Sequence, residues 1–181
     1  MNKLFIFAAF CGVFLLMACD PQDNKPQANK IPSVQPNVTL YKELIEMPEL
    51  DRARQLRIYL PPGYESSDKR YPVLYMHDAQ NLFDNATAHA GEWAVDELLN
   101  DLAHSGQLEL IVVGIDNHPQ KRLNEMNPWD HPQFGKGEGR EYVDFIAEVV
   151  KPRIDSEYRT LSQPEFTGIM GSSMGGYISH L

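Results

Sequence analysis

Residues 166–181 read FTGIMGSSMGGYISHL. A short apolar run, Phe166 to Met170, leads into Gly171-Ser172-Ser173-Met174-Gly175, and Met174-Gly175-Gly176-Tyr177-Ile178 reads as a helix start. With Gly and Ser each near 7% of residues, a bare Gly-x-Ser-x-Gly arises by chance in about one chain in twenty of this length. Position gives this one its meaning. A sharp strand-to-helix turn lifts Ser173 Oγ clear of the sheet edge, and small residues at 171 and 175 let backbone approach without a Cβ clash. The unpaired N–H groups that open the helix favour negative charge as an oxyanion develops. The stretch therefore predicts a serine nucleophile on a tight corner; the plainer alternative is a Gly/Ser-rich connector.

Upstream, the pattern supplies the sheet that such a corner needs. Pro72 to Met76 and Leu110 to Ile115 are near-continuous apolar runs, as expected of strands covered on both faces. Phe166 to Met170 repeats the signature more weakly. Helical patterns lie between them: Trp93 to Ala103, with Val95, Leu98, Leu99 and Leu102 on one face, and Arg140 to Val150, with Tyr142, Phe145, Ile146 and Val149. This alternation predicts an α/β domain with a parallel sheet and right-handed crossovers. Val38 to Met47 and Gln55 to Leu60 carry β-formers, and Pro61-Pro62-Gly63 ends the second run, so an antiparallel pair is expected to open the domain.

The segments RIYLPPGY, YPVLYMHDAQNLF, LIVVGIDN, EYVDFIAEVVKPRIDSEYRT and GSSMGG together resemble the esterase group of the α/β-hydrolase superfamily that includes esterase D-like, enterochelin esterase-like and feruloyl esterase domains. The resemblance implies a mostly parallel sheet with antiparallel first strands. It implies that the strand ending at Met76 is the third, and that backbone N–H groups of Ala79 and Met174 form the oxyanion hole. Gly is common in the family where this chain has Ala79. Residues 117–139, NHPQKRLNEMNPWDHPQFGKGEG, form a long stretch without periodicity, and such loops are usually functional or disordered. The resemblance places Trp129 and Arg122 there as one wall of a substrate cleft, the alternative being a solvated excursion.

Serine needs a base to take its proton and a third group to orient that base. In the α/β-hydrolase order both follow the serine. After Ser173 there is no Asp or Glu, and of six His only His180. Seven residues along a helix rise about 10 Å, whereas proton transfer needs roughly 3 Å, so His180 is not the base. His77, His89, His104, His118 and His131 precede the serine; His77, at the end of the third strand, is expected to shape the oxyanion loop. The expectation is an N-terminal portion of a longer hydrolase, truncated after the nucleophile elbow, with negligible turnover alone. Its last strand would be an open apolar edge, which invites aggregation, and its last helix is too short to stand without docking.

The first residues, MNKLFIFAAFCGVFLLMAC, combine Lys3 with an apolar stretch from Leu4 to Ala18, too short for an ordinary spanning helix but right for a signal h-region. Leu16-Met17-Ala18-Cys19 resembles a bacterial lipobox. The expected organisation is a signal peptide (1–18), lipidated Cys19 with a Pro-, Gln- and Asn-rich flexible tether (19–37), and the esterase domain (38–181). Asp20 resembles an inner-membrane retention signal, which places the protein in the bacterial envelope, anchored by lipid. Cys11 lies in the removed part, so the mature chain has no pair for a disulfide.

The net charge of −9 argues against a nucleic-acid partner. No H-E-x-x-H or paired-Cys spacing is present, and neither a metal nor a cofactor is expected. The leading reading is a serine esterase acting through an acyl-Ser173 intermediate on a small-molecule or glycan acyl ester. The alternatives are an acyltransferase of the same fold, as in mycolyltransferases, and a non-catalytic envelope lipoprotein that retains the fold.

Overall fold

The computed structural model describes residues 30–89 and 91–181. The signal peptide, Cys19 and Asp20 lie outside the described residues. Residues 33–37, the end of the stretch read as a tether, lie against the domain. Their polar groups bond to it: the Ser33 N–H to Asp84 Oδ1 (3.2 Å), the Gln35 N–H to Asp96 Oδ2 (2.8 Å), and Asn37 Nδ2 to the Leu60 carbonyl (2.7 Å). A segment with little apolar surface can still be held where its donors meet carboxylates and free carbonyls.

Strands β1 (Val38–Leu40), β4 (Leu56–Tyr59), β5 (Val73–His77), β6 (Ile111–Ile115) and β7 (Thr167–Met170) form one sheet in the order β1-β4-β6-β5-β7. The antiparallel pairs are β1 with β4 and β4 with β6, whereas β5 pairs parallel with both β6 and β7. The α/β architecture with antiparallel first strands is the expected one. The opening pair differs in detail. The run from Val38 to Met47 breaks in two, and β2 (Ile45–Met47) pairs with β3 (Arg52–Arg54) as a separate two-stranded sheet. Ile45 and Met47 are both buried with Glu46 exposed between them, so period-2 patterning fixed which residues turn inward but not the partner strand.

The side chains of the central strands alternate between two apolar layers, as the pleat requires. On one face Val73, Tyr75, Ile111, Val113, Ile115, Leu56 and Ile58 pack with Tyr142, Phe145, Ile146, Val150 and Ile154. On the other, Met76, Val112 and Tyr59 pack with Leu82, Phe83 and Leu99 of helix α1 (Val95–His104). This double burial explains why β5 and β6 read as continuous apolar runs. Strand β7 is one of the two edges and is exposed: Ile169 and Met170 are 39% and 47% exposed.

The helix expected from Arg140 to Val150 runs on to Glu157, as α3 (Gly139–Asp144), a π turn (Phe145–Val150) and α4 (Lys151–Glu157). Pro152 sits just past the π turn. It has no N–H to bond the preceding turn, and a widened turn there lets the helix continue through a residue that normally stops it. The stretch from 117 to 139 also holds more structure than its composition suggests: α2 (Arg122–Glu125) and a bridge between His131 and Gly135.

Candidate functional site

The parallel strands β5, β6 and β7 end together, and open α/β sheets bind ligands at such carboxyl ends. There His77 ends β5 and Asp78 follows it, Asp116 and Asn117 follow β6, and Gly171 to Ser173 follow β7. A cleft of about 150 Å³ lies at this edge, lined by His77, Asp78, Asn81, Leu82, Gly91, Trp93, Arg122 and Ser172.

Ser173 connects β7 to α5 (Met174–Ile178) with φ 53° and ψ −120°. That conformation is strained for a residue with a Cβ, and such strain concentrates at functional sites. Its side chain makes no capping hydrogen bond to the helix and is exposed. Both flanking glycines are tightly approached, and at 171 the contact requires glycine. A β-carbon on Gly175 would lie 3.1 Å from His77 Cβ, and one on Gly171 would fall 2.8 Å from His77 Cδ2. The imidazole of His77 therefore lies beneath the corner.

His77 is buried, with Nδ1 2.8 Å from the Tyr142 hydroxyl and no partner for Nε2. Burial pushes its pKa down to about 4, with Arg122 adding to the effect and Asp78 opposing it. The ring is neutral at physiological pH and makes no hydrogen bond to Ser173 among the described residues. His180 is exposed, two residues past the end of α5.

Asp78, which sequence reasoning missed, organises the cleft. It adopts a left-handed conformation (φ 58°, ψ 44°) before a 3-10 turn, Ala79–Asn81. Its carboxylate accepts two parallel bonds from Arg122, Nε to Oδ1 (2.7 Å) and Nη2 to Oδ2 (2.8 Å), and a third from Asn117 Nδ2 (2.7 Å). Burial alone would raise its pKa, but the Arg122 and Asn117 bonds outweigh it and hold the carboxyl below its ordinary value. A polar residue directly after a buried strand was the available signal.

Arg122 thus faces the cleft, clamped by Asp78. Trp129 does not line it; its ring packs on Tyr177 of α5, with centroids 5.6 Å apart. Met174 opens α5 directly after Ser173, while Ala79 is fully enclosed, and Gly114 of β6 leaves room for its methyl: a β-carbon there would fall 2.7 Å from Ala79 Cβ. The loop that carries Arg122 is held by a buried ion network. Glu125 bonds Arg54 and also Arg52 (2.7 Å), and Arg52 in turn makes a bidentate pair with Glu138 (2.7 and 2.9 Å). At Gly137 a β-carbon would fall 2.6 Å from the backbone of Asn127 and Trp129, so the base of the loop is closed on itself, while residues 129–136 stand exposed.

The model of the family described as "Putative esterase" matches residues 47–180, from the β2–β3 hairpin to the end of α5. The chain belongs to this esterase family. It is 31% identical over 134 residues to the Bacillus subtilis (strain 168) protein YbbA, a match that covers 70% of this chain and 49% of that one. Its fold is similar to that of an IroE-like serine hydrolase from Shewanella oneidensis, with TM-score 0.55, 24% identity, and 77% and 44% of the two chains covered. The BES protein from Bacillus cereus gives TM-score 0.60 at 19% identity, with 80% and 55% covered. The enterobactin esterase FES from Shigella flexneri gives TM-score 0.60 at 16% identity, with 81% and 34% covered. The chain spans about half the length, or less, of these relatives. No helix among the described residues is long and apolar enough to cross a membrane.

Proposed function

We propose that this chain carries the nucleophile and oxyanion-binding part of a serine esterase. The observation that carries the reading is the backbone of Ser173, a non-glycine residue at φ 53° and ψ −120° on the corner between a parallel strand and a helix. In this reading Ser173 Oγ attacks the carbonyl carbon of an acyl ester and its proton passes to a base. The tetrahedral oxyanion collapses to acyl-Ser173 and releases the alcohol, and water then returns the enzyme and the acid. The N–H groups of Met174 and Ala79 are the oxyanion donors; because Ala79 is enclosed, Met174 carries the larger share.

No His or carboxylate bonds Ser173 among the described residues, and the relatives are about twice as long. In this reading the base and acid come from sequence outside residues 1–181. The cleft supports a small-molecule ester held by Arg122, with Trp129 further out along α5. Transfer of the acyl group to an alcohol other than water uses the same residues.

Two measurements test the proposal. A fluorophosphonate probe labels a polypeptide extended through the downstream reading frame, and Ser173→Ala abolishes the labelling; equal labelling of both refutes the assignment. Residues 1–181 alone hydrolyse p-nitrophenyl acetate no faster than their Ser173→Ala variant. Anchoring at Cys19 is read out separately, by palmitate incorporation that Cys19→Ala removes.

A further inference from the structure

We infer that Glu92, Asp96 and Glu97 form a calcium site that ties residues 33–37 to the rim of the cleft. One carboxylate oxygen from each lies within 4.8 Å of the other two. That spread suits a single ion with calcium–oxygen bonds of roughly 2.3–2.6 Å. An all-oxygen set selects a hard cation, and irregular carboxylate geometry suits calcium better than magnesium, which demands a near-ideal octahedron.

Acidic clusters are common on protein surfaces; this one centres on a buried carboxylate and has no cationic partner among the described residues. Asp96 is 0% exposed, and its Oδ1 has no partner. Glu92 Oε1 and Glu97 Oε2 are likewise enclosed and unpartnered. No Lys or Arg forms an ion pair with any of the three among the described residues. The nearby donors are already placed on the other oxygens: the Ser33 hydroxyl on Glu92 Oε2, the Gln35 N–H on Asp96 Oδ2 (2.8 Å), and the Gln35 amide at 3.5 Å from Glu97 Oε1. Buried charge of one sign needs either a proton or a cation. A divalent cation held among the three carboxylates supplies the missing charge.

The position gives the ion a consequence. Glu92 stands between Gly91 and Trp93, both of which line the cleft, while Ser33 and Gln35 reach the cluster from the chain that precedes β1. A bound ion therefore fixes the cleft rim and the start of the domain together. This inference stands independently of Ser173 and its chemistry.

Calorimetric titration of the metal-free full chain with calcium chloride at pH 8, paired with thermal melts, tests it. Saturable binding in the micromolar to millimolar range is expected, with a melting temperature several degrees higher at saturation. Glu92→Gln and Glu97→Gln weaken binding tenfold or more. These two side chains are only partly buried and their variants keep the fold, whereas Asp96→Asn risks it. A wild-type chain with no saturable heat and no shift in melting overturns the site, as does an unchanged affinity in both Gln variants. An equal response to magnesium chloride overturns the choice of calcium.

Discussion

A β-carbon placed on Gly171 would lie 2.6 Å from the carbonyl carbon of Gly175, so the two ends of the Ser173 corner are in backbone contact. Real β-carbons essentially never come closer than 3.0 Å to such an atom, and backbone cannot swing aside as a flexible side chain can. Gly171→Ala therefore forces the corner open. The expected cost is about 1–3 kcal/mol of stability, the range for overpacking a tight site. A lower urea midpoint together with lost fluorophosphonate labelling in the extended polypeptide is the expected result; unchanged labelling would show that the contact does not set the position of Ser173.

The ring of His77 makes stability depend on pH. Burial holds its pKa at about 4 against an ordinary 6.5, so between these values the unfolded chain binds more protons than the folded one. Stability conferred on the neutral ring is complete above pH 6.5 and falls as the pH drops toward 4, by about 3 kcal/mol in all. His77→Gln removes this slope. Asp96, whose raised pKa favours the folded state as pH falls, acts in the opposite sense, so the informative quantity is the gap between wild type and variant at each pH. Urea unfolding from pH 7 to pH 4 should find that gap shrinking; a constant gap assigns the slope to another group.

The clamp between Asp78 and Arg122 is mostly screened from water, their side chains being 11% and 28% exposed. Asp78→Asn leaves Arg122 without its fork partner at the cleft. The expected loss is about 2 kcal/mol, below the roughly 3–5 of a fully buried pair because Arg122 keeps some water. Arg122→Lys retains the charge but not the two parallel bonds, and should lose most of the same energy. A double-mutant cycle that finds no coupling between the two positions would refute the clamp.

Glu125 is 2% exposed and is shared by Arg52 and Arg54. Glu125→Gln leaves the buried Arg54 guanidinium without a carboxylate, while Arg52 keeps its pair with Glu138, and the expected destabilisation is about 3 kcal/mol. Because the network holds the loop that bears Arg122, limited proteolysis between residues 117 and 139 should accelerate with it. A variant with wild-type melting and cleavage rate would show that the loop is held by other contacts.

Much of the fold was legible because burial writes itself into pattern. Val73 to His77 and Ile111 to Ile115 face apolar layers on both sides, and their unbroken hydrophobic runs announce it. The corner at Ser173 was legible for a similar reason: close backbone approach excludes side chains, so glycine stands at 171 and 175. The pairing of β2 with β3 was not, since alternation fixes a strand's faces and not its neighbour. Nor was the helix through Pro152, because local propensity gives no account of a π turn that absorbs the missing N–H.

By itself, then, the sequence determined the order of strands and helices, which residues turn inward, and where the chain makes its tight turn. Each of these depends on local spacing and on the volume of single side chains. Only the tertiary structure decided that Asp78 grips Arg122 across 44 residues, that Glu125 sits between two arginines, and that Glu92, Asp96 and Glu97 share one enclosed space with Ser33 and Gln35. Charged side chains carry no periodicity that names their partners. Their pairing is set by how the chain folds them into reach, and by the cost of leaving a buried charge unanswered.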